Sequence, residues 1–224
     1  MVEAIATRSD ALVTSSSEDL DPYERLVRTH RVEELRTMLS QAAVRLGLER
    51  FVNEVCVPLN RLIGDAWARG RLEIFEEHLY TESLQGVLRA AIGSLPRAQS
   101  RPRVLLTTFT GESHGLGLLM AEAVMALHGA RCLSLGTETP VRDIVLAARA
   151  QDSDIVALSF SACIGLNQVE AGLSELAAAL AGRVEIWVGG GHPGLGRRAF
   201  DGIRVLAGLG SIPAELGRWR GARP

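Results

Sequence analysis

Hydrophobic and polar positions divide the chain into two regimes. In the first, apolar residues recur at helical spacing: Leu35, Met38, Leu39, Ala42, Ala43 and Leu46 follow i, i+3, i+4, i+7, and Gly47 offers a stop. Val52, Val55, Cys56, Leu59, Leu62, Ile63 and Ala66 repeat the pattern across Pro58, which is expected to kink that helix before Gly70 ends it. A third helix is expected from about Leu72 to Ile92, with Leu79, Leu84, Val87, Leu88 and Ala91 among its apolar positions. A further short helix fits Tyr23 to Thr29. Helices joined this closely make a small bundle, placed at residues 22–95.

In the second regime, strand-like and helix-like segments alternate. Strands are expected at Val104–Phe109, Cys132–Leu135, Ile155–Phe160, Glu185–Val188 and Val205–Leu206. Helices fit Leu116–His128, Val141–Gln151, Leu166–Ala181, about Leu195–Asp201, and a closing stretch near Ile212–Trp219. Five such units imply an α/β domain, a doubly wound, flavodoxin-like or Rossmann-like parallel sheet of five strands over residues 103–224. Residues 96–102 carry Pro, Ser and Arg without a pattern and read as a linker. Residues 1–21 are polar, rich in Ser, Thr, Asp and Glu, and read as a mobile tail with no room for a helix-turn-helix.

Composition narrows the functional classes. A net charge of −2 gives no electrostatic case for nucleic acid as the main ligand. No apolar run is long enough to span a bilayer, and the N-terminus lacks a signal pattern, so a cytoplasmic protein is expected. All 24 basic residues are arginine, which is read as codon bias rather than function. Cys56, Cys132 and Cys163 lie in apolar contexts without CxxC spacing and are expected to be buried free thiols.

The chemistry concentrates where the first strand ends. Val104 to Gly117 reads VLLTTFTGESHGLG, placing Glu112, His114 and Gly117 on a polar loop between strand and helix. In a parallel sheet that loop lies at the carboxyl edge, where ligands bind. An imidazole there can offer one nitrogen to a metal while a carboxylate holds the other N–H. Gly115 and Gly117 let a large planar ligand approach the backbone. Gly189, Gly190 and Gly191 end the fourth strand, and Ser159, with Ser161 two residues later, ends the third. No G-x-G-x-x-G follows the first strand, which weighs against a dinucleotide.

These residues resemble the cobalamin-binding domain family, marked by D-x-H-x-x-G, then S-x-L, then G-G. The resemblance implies that His114 is the lower axial ligand of cobalt and that the displaced nucleotide tail enters a groove lined by Ser159 and Gly189–Gly191. Glu112 stands where the family usually has Asp, and Phe160-Ser161 follows Ser159 in place of x-Leu. Leu135-Gly136-Thr137-Glu138-Thr139-Pro140 resembles the L-G-x-x-T-P that skirts the corrin, so Leu135, Thr137 and Thr139 join the expected contacts. In the bundle, Trp67 followed by Glu77-His78 resembles the W-x9-E-H of the helical cap in CarH-type cobalamin photoreceptors. There the Trp covers the upper face and the Glu/His pair sits by the upper ligand.

CarH-type receptors carry a MerR-type DNA-binding domain before the cap. This chain resembles instead the AerR/PpaA antirepressors, which lack one. The resemblance implies a non-catalytic, cobalamin-dependent light or redox sensor that regulates transcription through a partner repressor protein. Direct sequence-specific DNA reading and membrane association are not expected, whereas a homo-oligomer is compatible with it. The cofactor would be adenosylcobalamin, hydroxocobalamin or methylcobalamin. The His that follows the Trp in the CarH group is Ala68 here, leaving His78 or His30 to serve above the ring, and His192 to meet the tail. The alternative is a corrinoid shuttle protein of a methyltransferase system, using the same Glu112 and His114.

Overall fold

The computed structural model describes residues 20–96, 101–197 and 200–222, and its contacts divide the chain into two units, Met1–Ala90 and Ala91–Pro224. Most of the expected tail and the centre of the expected linker lie outside the described residues.

The first unit is helical. α1 (Asp21–Arg28) begins with a proline in its first turn and acids at Asp21 and Glu24, which suit the positive end of the helix dipole. It stops at His30, whose φ of +56° turns the chain; Arg31 N–H reaches Leu26 O at 2.9 Å and His30 N–H reaches Val27 O at 3.0 Å. α2 (Val32–Leu46) ends at Gly47, φ +76°. After one helical turn at Leu48–Arg50 the chain widens into a π turn at Phe51–Cys56, then continues as α3 (Val57–Ala68). Pro58 was expected to kink a continuous helix. Instead the Val57 N–H bonds Val52 O, five residues back, and the wider turn relieves the clash that the proline ring would make with a carbonyl four residues earlier. α4 (Ile74–Gly93) starts with one half of a capping box: the Glu76 carboxylate accepts the Glu73 N–H at 2.8 Å. The buried apolar stripe of these helices includes Leu35, Leu39, Phe51, Leu59, Ile63, Leu84 and Leu88.

The second unit is a five-stranded parallel sheet in the order β2-β1-β3-β4-β5, with β1 (Arg103–Phe109), β2 (Arg131–Thr139), β3 (Ile155–Ser159), β4 (Glu185–Gly189) and β5 (Ile203–Val205). Strand and helix alternate through α5 (Leu116–Leu127), α6 (Val141–Ala150), α7 (Leu166–Leu180) and α8 (Ile212–Gly221). Leu105, Val156, Leu158, Ile186 and Val188 meet Ile144, Ala148, Leu173 and Leu176 of α6 and α7 in one core. Val104 and Leu106 alternate to the opposite face, where α5 packs.

Further expectations change, and β5 lies at Ile203–Val205, two residues ahead of the expected Val205–Leu206. β2 runs past Leu135 to Thr139, because two successive register shifts, the second a bulge opposite Thr108, each let one extra residue through without ending the pairing: Leu106 pairs with Ser134, Thr107 with Gly136 and Phe109 with Thr139. The helix expected near Leu195–Asp201 is a single 3-10 turn at Leu195–Arg197, with residues 198–199 outside the description. Cys163 is exposed rather than buried, since it sits on the loop after β3 and not within the strand. Among the described residues, no helix is long and apolar enough to cross a membrane.

Candidate functional site

The loop after β1 is built around a buried carboxylate. Glu112 is 1% exposed although it stands on a loop. Its Oε1 accepts the His114 backbone N–H at 3.0 Å and lies 2.7 Å from His114 Nδ1, while Oε2 accepts the Ser161 N–H at 2.6 Å. Burial pushes the Glu112 carboxyl upward, but the N–H groups of Ser161 and His114, the Ser161 hydroxyl and the imidazole outweigh it and hold the group below its ordinary value. An ionised carboxylate only accepts, so the proton between the two rests on Nδ1 of His114. The ring is half exposed, and among the described residues Nε2 has no hydrogen-bond partner. The longer acid therefore does reach the imidazole.

Ser161 follows Ser159 by two residues, where the resemblance leads one to expect Leu. The structure sets Ser161 against the histidine: its Oγ is 3.2 Å from His114 Nδ1 and accepts the Cys163 N–H at 3.1 Å. Ser159 is buried at the end of β3, beside Gly117; a Cβ added to Gly117 would stand 2.8 Å from the Ser159 Oγ. A Cβ on Gly115 would meet the methyl of Thr137 at 3.3 Å, so the histidine loop lies against the β2 bulge. Leu135 is exposed, and the Thr139 hydroxyl is 2.7 Å from that of Thr107.

The glycines after β4 divide by task. Gly190 has φ +108°, and a Cβ there would lie 2.2 Å from Phe160 O, a backbone collision. Gly189 accepts the Phe160 N–H at 3.0 Å, whereas Gly191 has open space around it. His192 does not offer a free nitrogen. Its Nε2 donates to Ile164 O at 3.2 Å and its Nδ1 accepts the Gly194 N–H at 3.0 Å.

Sequence reasoning missed the residues that brace this edge. Thr108, fully buried, donates to Glu112 O at 2.6 Å and accepts the Glu138 N–H at 2.8 Å. Gln168 Nε2 donates to Thr110 O at 2.8 Å, beside Gly111 at φ +88°. The only signal was the pair of threonines closing an otherwise apolar strand, which also reads as ordinary β-branched strand chemistry.

In the helical unit, Trp67 is 45% exposed at the end of α3, and Phe75 is 51% exposed in the first turn of α4. Glu77 accepts the Thr81 hydroxyl at 2.6 Å and its other oxygen is 3.7 Å from the exposed His78 Nε2. Among the described residues, no hydrogen bond joins Trp67 to that pair. His30 is spoken for: its Nε2 lies 3.1 Å from Glu76 Oε1, and its ring meets Phe75 edge-on at 5.0 Å.

Among the described residues, no three His, Cys, Asp or Glu side chains converge on a metal position, so His114 is a single donor. That donor set fits a corrinoid, whose macrocycle already fills four positions around cobalt and needs the protein for one axial ligand. The half-exposed imidazole, and the open space around the backbone of Gly191, fit a large ligand at this edge.

Comparison with known proteins agrees. Residues 102–208 match the B12 binding domain family, and residues 20–92 match a second family also described as a B12 binding domain. The HTH-type transcriptional repressor CarH of Myxococcus xanthus is 33% identical over 153 residues, 68% of this chain and 51% of that protein. The HTH-type transcriptional repressor CarA of the same organism is 30% identical over 128 residues, 57% of this chain and 43% of that protein. The chain thus spans about half the length of the curated relatives it matches. The Methanosarcina barkeri monomethylamine corrinoid protein superposes with a TM-score of 0.68 at 12% identity, over 89% of this chain and 97% of that one, a likeness of fold. With residues 20–92 and 102–208 each matched by a B12 binding domain model, the chain is a B12-binding domain protein, and its cofactor is cobalamin.

Proposed function

We propose that this chain is a cobalamin-dependent sensor that controls transcription through a separate repressor protein, with His114 as the lower axial ligand. The observation that carries the reading is the Glu112–His114 pair. Glu112 is buried, its oxygens are filled by N–H groups, and it fixes the imidazole through Nδ1. A carboxylate in this role sets the tautomer and raises the basicity of the nitrogen that binds the metal. Bound cobalamin supplies a cobalt centre whose upper ligand can be exchanged or lost to light.

This chain's own residues then do three things. His114 holds the lower face. Ser159 and Gly189–Gly191 receive the displaced tail, and Leu135, Thr137 and Thr139 meet the edge of the ring. Trp67, Glu77 and His78 meet the upper ligand, so a change there alters which conformation of the helical unit is favoured, through differential contact with two ligand states. The similarity to two transcriptional repressors supports a regulatory output, and a repressor partner is the form of output this reading adopts.

The test is an absorption spectrum of the purified chain with hydroxocobalamin or adenosylcobalamin, before and after green light, for wild type and His114→Ala. A retained corrinoid whose spectrum depends on His114 and changes on illumination supports the sensor. Retained methylcobalamin that is indifferent to light and passes its methyl group to a thiol acceptor supports the shuttle. Loss of every corrinoid on gel filtration defeats both.

A further inference from the structure

The β2 bulge and the histidine loop are joined by one hydroxyl. Opposite Thr108, β2 carries both Thr137 and Glu138, because Thr107 pairs with Gly136 and Phe109 with Thr139. A bulge leaves its extra N–H without a ladder partner. Here the Glu138 N–H is taken by Thr108 Oγ1 at 2.8 Å, and the same hydroxyl donates its proton to Glu112 O at 2.6 Å. A threonine hydroxyl has one proton and two lone pairs, so it can serve both backbones at once. Glu138 is held at φ +59°, a conformation costly for a side chain with a Cβ. That strained residue therefore owes its place to a contact inside the sheet.

We propose that Thr108 is a positioning residue that couples the β2 bulge to the Glu112–His114 pair, so that displacement of the bulge by a corrinoid edge and the hold of His114 on cobalt are linked. The inference rests on His114 as the lower ligand. Glu112 is the shared part: its carbonyl takes the Thr108 proton while its carboxylate takes the His114 ring N–H. The bulge touches the same loop a second time, since Thr137 lies against Gly115. Valine matches threonine in shape but would leave both the Glu138 N–H and the Glu112 carbonyl without this partner.

The test compares wild type, Thr108→Val and Thr108→Ser in the full chain. Without corrinoid, amide exchange at Glu138 should quicken about tenfold or more in the valine variant. Hydroxocobalamin should leave that variant roughly ten- to a hundredfold faster, with a spectrum moved towards that of His114→Ala. Serine should restore both. A folded valine variant with the wild-type dissociation rate and spectrum overturns the proposal, as does a serine variant that behaves like valine. Should the valine variant fail to fold, wild type decides: on adding hydroxocobalamin, protection must rise together at the amides of Glu138 and His114, and protection at His114 alone overturns the coupling. The lower-ligand reading fails separately, if wild type and His114→Ala retain hydroxocobalamin equally with the same spectrum.

Discussion

A methyl group on Gly117 would stand 2.8 Å from the hydroxyl oxygen of Ser159. Gly117 lies in the first turn of α5 and Ser159 ends β3, yet each limits the other. The glycine opens α5 with bare backbone, and the serine fills the space so provided. The sequence motifs that contain them therefore share one contact.

That contact predicts a coupled pair. Gly117→Ala gains helix propensity of about 1 kcal/mol but overpacks the Ser159 side chain at about 1–3 kcal/mol, so the single variant is destabilised. Gly117→Ala with Ser159→Ala removes the clash and keeps the propensity gain. Urea unfolding should show the double variant to be more stable than Gly117→Ala alone, a coupling of about 1 kcal/mol or more. Additive effects would contradict the packing described.

The glycines after β4 are not equivalent. Gly190→Ala places a Cβ within 2.2 Å of the Phe160 carbonyl at a positive φ, and should cost about 3 kcal/mol or more in a thermal or denaturant melt. Gly191→Ala meets nothing and should shift stability by less than about 0.5 kcal/mol. If the cofactor tail passes there, the same harmless alanine should still shorten hydroxocobalamin retention, measured by gel filtration.

Much of this was legible beforehand. The change from helical spacing to alternating strands and helices follows from where Leu35 to Ile92 and Val104 to Val188 place their apolar residues. The Glu112–His114 pair follows from spacing at the end of β1. Ser161 was not legible in its observed role, because its backbone N–H, which any residue possesses, makes the bond to Glu112. Thr108 was hidden for a related reason: in a strand its β-branched shape explains it fully, and its hydroxyl acts only across a bulge that periodicity does not reveal. Pro58 announced a break correctly, but the backbone absorbed it by widening.

Glu76 gives a pH dependence with a definite sign. The Glu73 N–H, against the opposing effect of burial, and then His30, hold its carboxyl below the ordinary 4.5. A lowered folded value means that the stabilisation is present above the unfolded pKa and is lost as pH falls through the folded one. Wild type should thus exceed Glu76→Gln in stability by about 1 kcal/mol at neutral pH, with the gap closing in acid below about pH 4. Paired melts across that range check it; a gap independent of pH would contradict the assigned role.

Glu138→Gly offers a stabilising change. Glycine accepts φ +59° without a Cβ and keeps the N–H that Thr108 receives. The second unit should gain about 0.5–1 kcal/mol, less the entropy that glycine adds to the unfolded chain. Differential scanning calorimetry of the cofactor-free chain measures it.

The carboxyl-edge groups come from three neighbouring strands: Glu112 and His114 after β1, Ser159 and Ser161 at β3, and the glycine turn after β4. Ser161 supplies a bond to Glu112, and the Phe160 N–H is tied to Gly189. A chain emerging from the ribosome exposes its histidine loop long before the glycine turn has been made. Until β4 docks, the Phe160 N–H lacks the Gly189 carbonyl, and the segment leading to Ser161 is without that tie. The backbone that carries Ser161 to Glu112 therefore gains its full support only when β4 has joined the sheet.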